Sequence, residues 1–328
     1  LENIASIKLK KKRKKLELFS PLKRELTKAK KGLKEGWQLY LMLSIPLVYF
    51  IIFKYIPMYG VQIAFREYTP LKGIVGSPWV GLKYFARFIN SYNFVPVFLN
   101  TLKISMGQLL FSFPFPIILA LALNSCRNAR FKKTVQFAVY APYFISVVVM
   151  SGIIIQFLDP RLGIINRGIL MLTGNSINFM GSPDKFLGIF VGSNIWQNTG
   201  WGTIIYLAAL ADVDGNLHEA AQIDGASRLQ RILHIDLPCI YPTIITLLIV
   251  NTGRVLNVGF QKVLLLQNPL NLTASEIVQT YTYKVGLASQ MANFSYSAAI
   301  GLFTGVVNLI LLLSVNKIAR HFGHKGLF

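Results

Sequence analysis

Six stretches without a single Asp, Glu, Lys or Arg limit what this chain can fold into: Gly36–Phe53, Ile104–Cys126, Thr134–Leu158, Phe186–Ala211, Leu237–Gly253 and Val285–Asn316. A helix rises about 1.5 Å per residue, so roughly 20 apolar residues cross a ~30 Å hydrocarbon core. The last stretch has a polar start, which places its span at Ser295–Asn316, and the fifth extends past Arg254 to Gln261. The chain has 328 residues, 53% of them hydrophobic and 14% charged, with mean hydropathy +0.49. Soluble domains carry about 25% charged residues, so an ordinary cytosolic enzyme is excluded, as is a disordered chain. Runs such as Ile117–Leu123 are apolar on every side rather than alternating, which excludes a transmembrane β-barrel. The expected fold class is an all-α polytopic membrane protein with six transmembrane helices.

Net charge is +21, and its distribution sets the expected orientation. Leu1–Glu35 holds 13 Lys+Arg against four Glu; Asn124–Lys133 holds four basic residues and no acid; the C-terminal tail holds Lys317, Arg320 and Lys325. With six spans these segments share one side, so both termini are expected in the cytoplasm. Cys126 and Cys239 fall on that reducing side. The chain divides into a basic tail, 1–36, and a six-span domain, 37–328. The run Lys8–Lys15 has seven basic residues in eight positions. With no aromatic or groove-reading element beside it, it reads as a topology determinant on anionic lipid headgroups, not as a nucleic-acid site. The first apolar segment follows this tail and lacks a small-residue cleavage pattern, so it reads as a span and not a signal peptide.

The loop 212–238, between the fourth and fifth spans, breaks the basic pattern. It carries Asp212, Asp214, Glu219, Asp224 and Asp236 against Arg228 and Arg231. A first short helix starts at Asn216 or His218, Gly225 supplies a left-handed turn, and Ala226–Ile235 forms a second amphipathic helix that Pro238 ends. A helix–turn–helix at the membrane surface suits docking of another protein. Glu219-Ala220-Ala221, three residues, Gly225, nine residues, Ile235, one residue, then Leu237-Pro238 resembles the EAA motif of the membrane permeases of bacterial ABC importers. Val80-Gly81-Leu82-Lys83-Tyr84-Phe85, Asn100-Thr101 and Gly163-x-x-Asn166 resemble the carbohydrate branch of that family.

The resemblance implies an ABC type I importer permease fold with a cytoplasmic coupling loop, in a bacterial cytoplasmic membrane. It implies that Glu219, Ala220, Ala221, Asp224, Gly225, Ile235, Leu237 and Pro238 couple to a separate ATPase, which binds ATP and Mg. It implies a second permease subunit forming a heterodimer, two ATPase copies, and an external solute-binding protein that delivers sugars, oligosaccharides foremost, to a permease pair working by alternating access. The chain itself has no G-x-x-x-x-G-K-[ST] loop, no metal-ligand spacing and no nucleophile elbow, so no catalytic residue, metal or cofactor is expected in it.

Polar residues recur inside the spans. Asn194, Gln197, Asn198 and Trp201 fall at i, i+3, i+4, i+7 of the fourth, one helical face. Asn251, Arg254, Asn257 and Gln261 form a looser stripe along the fifth. Amides and a guanidinium beside an aromatic ring suit a sugar path; hydrogen bonds between helices explain them equally well. Other solutes (peptide, amino acid, ion) stay open within the family. A secondary transporter would need acids within the spans and internal repeats, which are not found, and a structural scaffold would not need the acidic loop.

Overall fold

The computed structural model describes residues 36–321. The basic tail, with its Lys8–Lys15 run, and the residues from 322 on, with His324 and Lys325, lie outside the described residues. Packing divides the chain into two units, Leu1–Gln62 and Ile63–Phe328. Helix α1 (Trp37–Phe65) carries the described part of the first. No residue between Trp37 and Phe50 is buried, as suits an apolar helix solvated by lipid or another chain.

The second unit is built from helices α2 (Lys83–Ile89), α3 (Phe94–Asn124), α4 (Ala129–Phe144), α5 (Val147–Phe157), α6 (Ile164–Thr173) and α7 (Pro183–Ala211). There follow α8 (Gly215–Ile223), α9 (Arg228–Thr252), α10 (Phe260–Leu266), α11 (Val278–Tyr283) and α12 (Phe294–His321). Among the described residues the only β pairing is one bridge, Arg66 to Trp79. The all-α expectation holds.

Among the described residues four helices, α1, α3, α9 and α12, are long and apolar enough to cross a membrane. The expected third span is not one rod: α4 and α5 meet at 103°. Pro142 tightens the end of α4, Ile145 is extended, and Ser146 restarts the chain by accepting the Val149 N–H. The carbonyl of Ile145, released from the helical ladder, accepts from Gln197 Nε2 at 3.2 Å. Helix α7 has 29 residues but is diluted by Asn194, Gln197 and Asn198. The described residues thus show four such spans, or five with the bent pair taken as one; the expected six is approximate and is reached only by adding α7.

Between helices in lipid, close packing rather than water exclusion supplies the cohesion, and small residues permit it. Gly200 of α7 lies against α4 so closely that a Cβ there would land on the Val139 carbonyl. One apolar cluster joins Ile104 of α3, Met150 and Ile154 of α5, Phe186 and Phe190 of α7 and Val263 of α10. A second joins Phe88 of α2, Val97 of α3, Val278 of α11 and Ile300 of α12. A third, Ala120, Tyr206, Leu210 and Ile240, ties α3, α7 and α9 beside the α8 hairpin.

Several residues that carry the family resemblance act as fold locks. Buried Asn166 donates to the carbonyls of Leu158, Asp159 and Ile177 at 2.8–3.1 Å and accepts the Ile177 N–H at 2.8 Å. Asn100 Nδ2 donates to the carbonyls of Thr273 and Glu276, and Thr101 Oγ1 accepts the Val278 N–H at 2.9 Å. Asp159 accepts the N–H groups of Leu162 and Arg161, which hold its carboxyl below the usual carboxylate range.

Candidate coupling hairpin and translocation path

The loop after α7 is a rigid hairpin. Asp214 caps α8 by accepting the Asn216 N–H at 3.0 Å, so the helix begins at Gly215, ahead of the expected Asn216 or His218. At its other end the Ala226 N–H reaches back to the Ala221 carbonyl (2.8 Å) and the Gly225 N–H to the Gln222 carbonyl (3.1 Å), a Schellman closure. That closure needs a left-handed residue, and Gly225 sits at φ +78°. Ser227 then starts α9 with a reciprocal box: its N–H donates to Gln230 Oε1 at 2.7 Å, and its hydroxyl accepts the Gln230 N–H.

The second helix does not stop at Pro238, contrary to expectation; α9 runs unbroken from Arg228 to Thr252. A wide turn at Ile232–Asp236, with Leu237 N–H bonded to the Ile232 carbonyl, absorbs the donor that Pro238 lacks. Ile235 lies in that turn, and Leu237 and Pro238 open the regular helix beyond it.

Glu219 and Ala220 face outward on α8, Ala221 is half-buried and Asp224 is its exposed C-cap. Glu219 forms no ion pair among the described residues. Beside it the hairpin exposes apolar side chains: Ile223 is 88% exposed, and Leu217, Leu229 and Leu233 are also open. Behind α8, Asp236 is 2% exposed, with His218 Nε2 3.2 Å from its Oδ1 and Asn124 Nδ2 donating to the same oxygen at 3.4 Å. One carboxylate oxygen thus gathers α8, the foot of α9 and the end of α3. This joint was not singled out from sequence, where Asp236 counts only as one acid in an acidic loop.

The amide face of α7 opens on two adjoining pockets. The first, of about 590 Å³, is lined by Asn194, Asn198 and Trp201 of α7, by Asn251 of α9, and by Arg254 and Asn257 just beyond it. The expected helical stripe through Arg254, Asn257 and Gln261 does not exist, because α9 ends at Thr252 and the chain turns, with Gly259 at φ +50°. The turns still bring Asn251, Arg254 and Asn257 opposite Asn194, Asn198 and Trp201. The second pocket, of about 570 Å³, shares Asn194 and Asn198 and adds Tyr143, Phe144, Gln197, Gln261 and Lys262. Gln197 is buried, serving the α4–α5 break, while Asn198 is exposed. Tyr143 stacks on Trp201 with ring centres 4.5 Å apart and planes within 1°. Sequence reading missed that aromatic shelf, since the two rings are 58 positions apart, and it missed Lys262, which stood at the start of a loop.

A helical membrane bundle with a locked, acidic hairpin before α9 is an architecture suited to a membrane transport component. Residues 112–324 match the family described as binding-protein-dependent transport system inner membrane component, and the chain belongs to that family. It is 46% identical over 297 residues to the protein LplB of Bacillus subtilis (strain 168), covering 90% of this chain and 93% of that one. It is 44% identical to the polygalacturonan/rhamnogalacturonan transport system permease protein YteP of the same organism, covering 88% and 90%. Among solved structures it resembles a chain of a bacterial alginate ABC transporter in complex with an alginate pentasaccharide-bound periplasmic protein, with TM-score 0.82, 38% identity, and coverage of 90% and 99%. The chain is thus a multi-pass membrane protein of the ABC importer family.

Proposed function

We propose that this chain is the permease subunit of an ATP-driven oligosaccharide importer, that α8 couples it to a separate ATPase, and that the pocket-lining face of α7 forms its half of the substrate path. The observation that carries the reading is the hairpin. Its backbone is closed at Gly225 and Ser227, and it leaves an unpaired Glu219 and the apolar Ile223 in the open. A rigid surface of that composition, hydrophobic with one central charge, is what a protein partner covers.

The relatives' names support the solute class. Besides the polygalacturonan/rhamnogalacturonan and alginate systems, an arabinooligosaccharides transport system permease of Bacillus subtilis (strain 168) is 28% identical over 290 residues. The lining supports it too: amides suit hydroxyl groups, and the Tyr143–Trp201 shelf suits the apolar face of a sugar ring. In this reading a second permease chain completes the path as a heterodimer, two ATPase copies bind ATP and Mg, an external solute-binding protein delivers substrate, and both termini are cytoplasmic. Catalysis in trans leaves this chain the mechanical work: a push on α8 reaches α3 and α9 through Asp236. Reconstitution in vesicles with the partner permease, ATPase and binding protein tests the proposal. Labelled oligosaccharide should accumulate only when ATP and the binding protein are both present; accumulation without either rejects it.

A further inference from the structure

Lys262 is the one cation buried among the described residues, at 4% exposure. Its ammonium donates to Asn194 Oδ1 at 3.1 Å and Gln197 Oε1 at 3.2 Å. Both acceptors are neutral amides, and the third N–H has no acceptor among the described residues. No carboxylate among the described residues pairs with it; the four that form ion pairs do so elsewhere, Glu67 with Lys83, Asp184 with Lys185, Glu276 with Lys284 and Asp236 with His218. A buried charge is ordinarily matched by an opposite one, because dipoles alone compensate its lost hydration poorly. In the adjoining pocket Arg254 is exposed and forms no ion pair among the described residues either. No Asp or Glu lines either pocket. The path therefore holds two separated positive charges, neutral amides and an aromatic shelf, with no anion of its own.

We infer that this path selects sugars that carry carboxylates, with Lys262 as the main specificity-determining residue and Arg254 as a second. This rests on the reading of the chain as an oligosaccharide permease. A uronate-containing oligosaccharide supplies what the lining lacks: hydroxyl groups for the amides, ring faces for Tyr143 and Trp201, and one negative charge per acidic unit. Single cations in two adjoining pockets fit singly charged groups spaced along a chain. A phosphate is met instead by clustered donors or a bidentate fork.

The test uses the complete reconstituted transporter with saturating binding protein. Two probes are compared, a uronate trisaccharide and its carboxyl-reduced, neutral counterpart. The wild type should import the acidic probe at least tenfold faster. Lys262→Gln should lower acidic uptake about tenfold and cut the ratio of acidic to neutral uptake at least fivefold, with Lys262→Arg restoring part of the preference. Copurification of the partner chains reports assembly; if Lys262→Gln fails to assemble, exposed Arg254→Gln should still narrow the acidic preference at least threefold. Equal import of both probes by the wild type overturns the inference. So does undiminished acidic uptake in Lys262→Gln, or, where that variant does not assemble, an unchanged preference in Arg254→Gln. In each of those cases ATP-driven sugar import still stands. If neither probe enters, the oligosaccharide reading fails, and the inference with it.

Discussion

Two kinds of amide sit in this bundle, and they do different work. Asn166 is 1% exposed and spends all its hydrogen-bonding capacity on backbone. Asn166→Ala should therefore cost about 4 kcal/mol, at ~1 kcal/mol for each of four lost bonds, and lower the unfolding temperature of the protein in detergent. Asn198 is exposed, and its side chain donates one hydrogen bond among the described residues, to Asn194 Oδ1 at 3.5 Å. Asn198→Ala should leave the unfolding temperature within a degree or two while slowing uptake. Both are Asn in apolar surroundings, so sequence alone could not separate them; burial and the count of partners do. Gly225 was legible, because a left-handed turn between two short helices has few other occupants. Gly225→Val should cost about 2 kcal/mol or more, since a β-branched residue is strained at φ +78°. Less ATPase should then copurify, and Gly225→Asn, which tolerates that conformation, should recover most of it.

At the scale of elements, Asp236 joins the hairpin to the spans, and the proposed coupling runs through that joint. Asp236→Asn keeps the shape but removes the charge that accepts from His218 and Asn124. We expect ATPase binding to persist in this variant, with severalfold less solute moved per ATP hydrolysed, measured by paired uptake and phosphate-release assays. An unchanged ratio removes the joint from the coupling route. The hairpin was readable because capping and turn residues act locally. Two features nearby were not. The third span looks continuous in sequence, since Val, Ile and Phe surround Ser146, and its 103° bend is stabilised by Gln197 from another helix. The fifth span continues through Pro238 because a wide turn absorbs the missing donor, an arrangement that local rules for proline do not anticipate. Lys262 belongs with these: only the return of the chain after Gly259 puts it against α7.

For the whole molecule, composition and charge-free runs foretold a helical membrane bundle, and the family match agrees. Charge placement also implies sidedness. Tags at either terminus should resist protease added to intact cells and become cleavable after permeabilisation, whereas digestion from outside reverses the topology. The central claim is that α8 links a partner's ATP hydrolysis to this path. The most direct measurement purifies the assembled transporter carrying Glu219→Ala and compares ATP hydrolysis with and without loaded binding protein. Truncating one side of a charged contact buried at an interface costs at least about 2 kcal/mol, roughly a 30-fold change in an equilibrium. The account predicts that the ATPase is lost on purification or that stimulation by the binding protein falls at least tenfold, with membrane insertion normal. Full retention of the ATPase together with wild-type stimulation would contradict it.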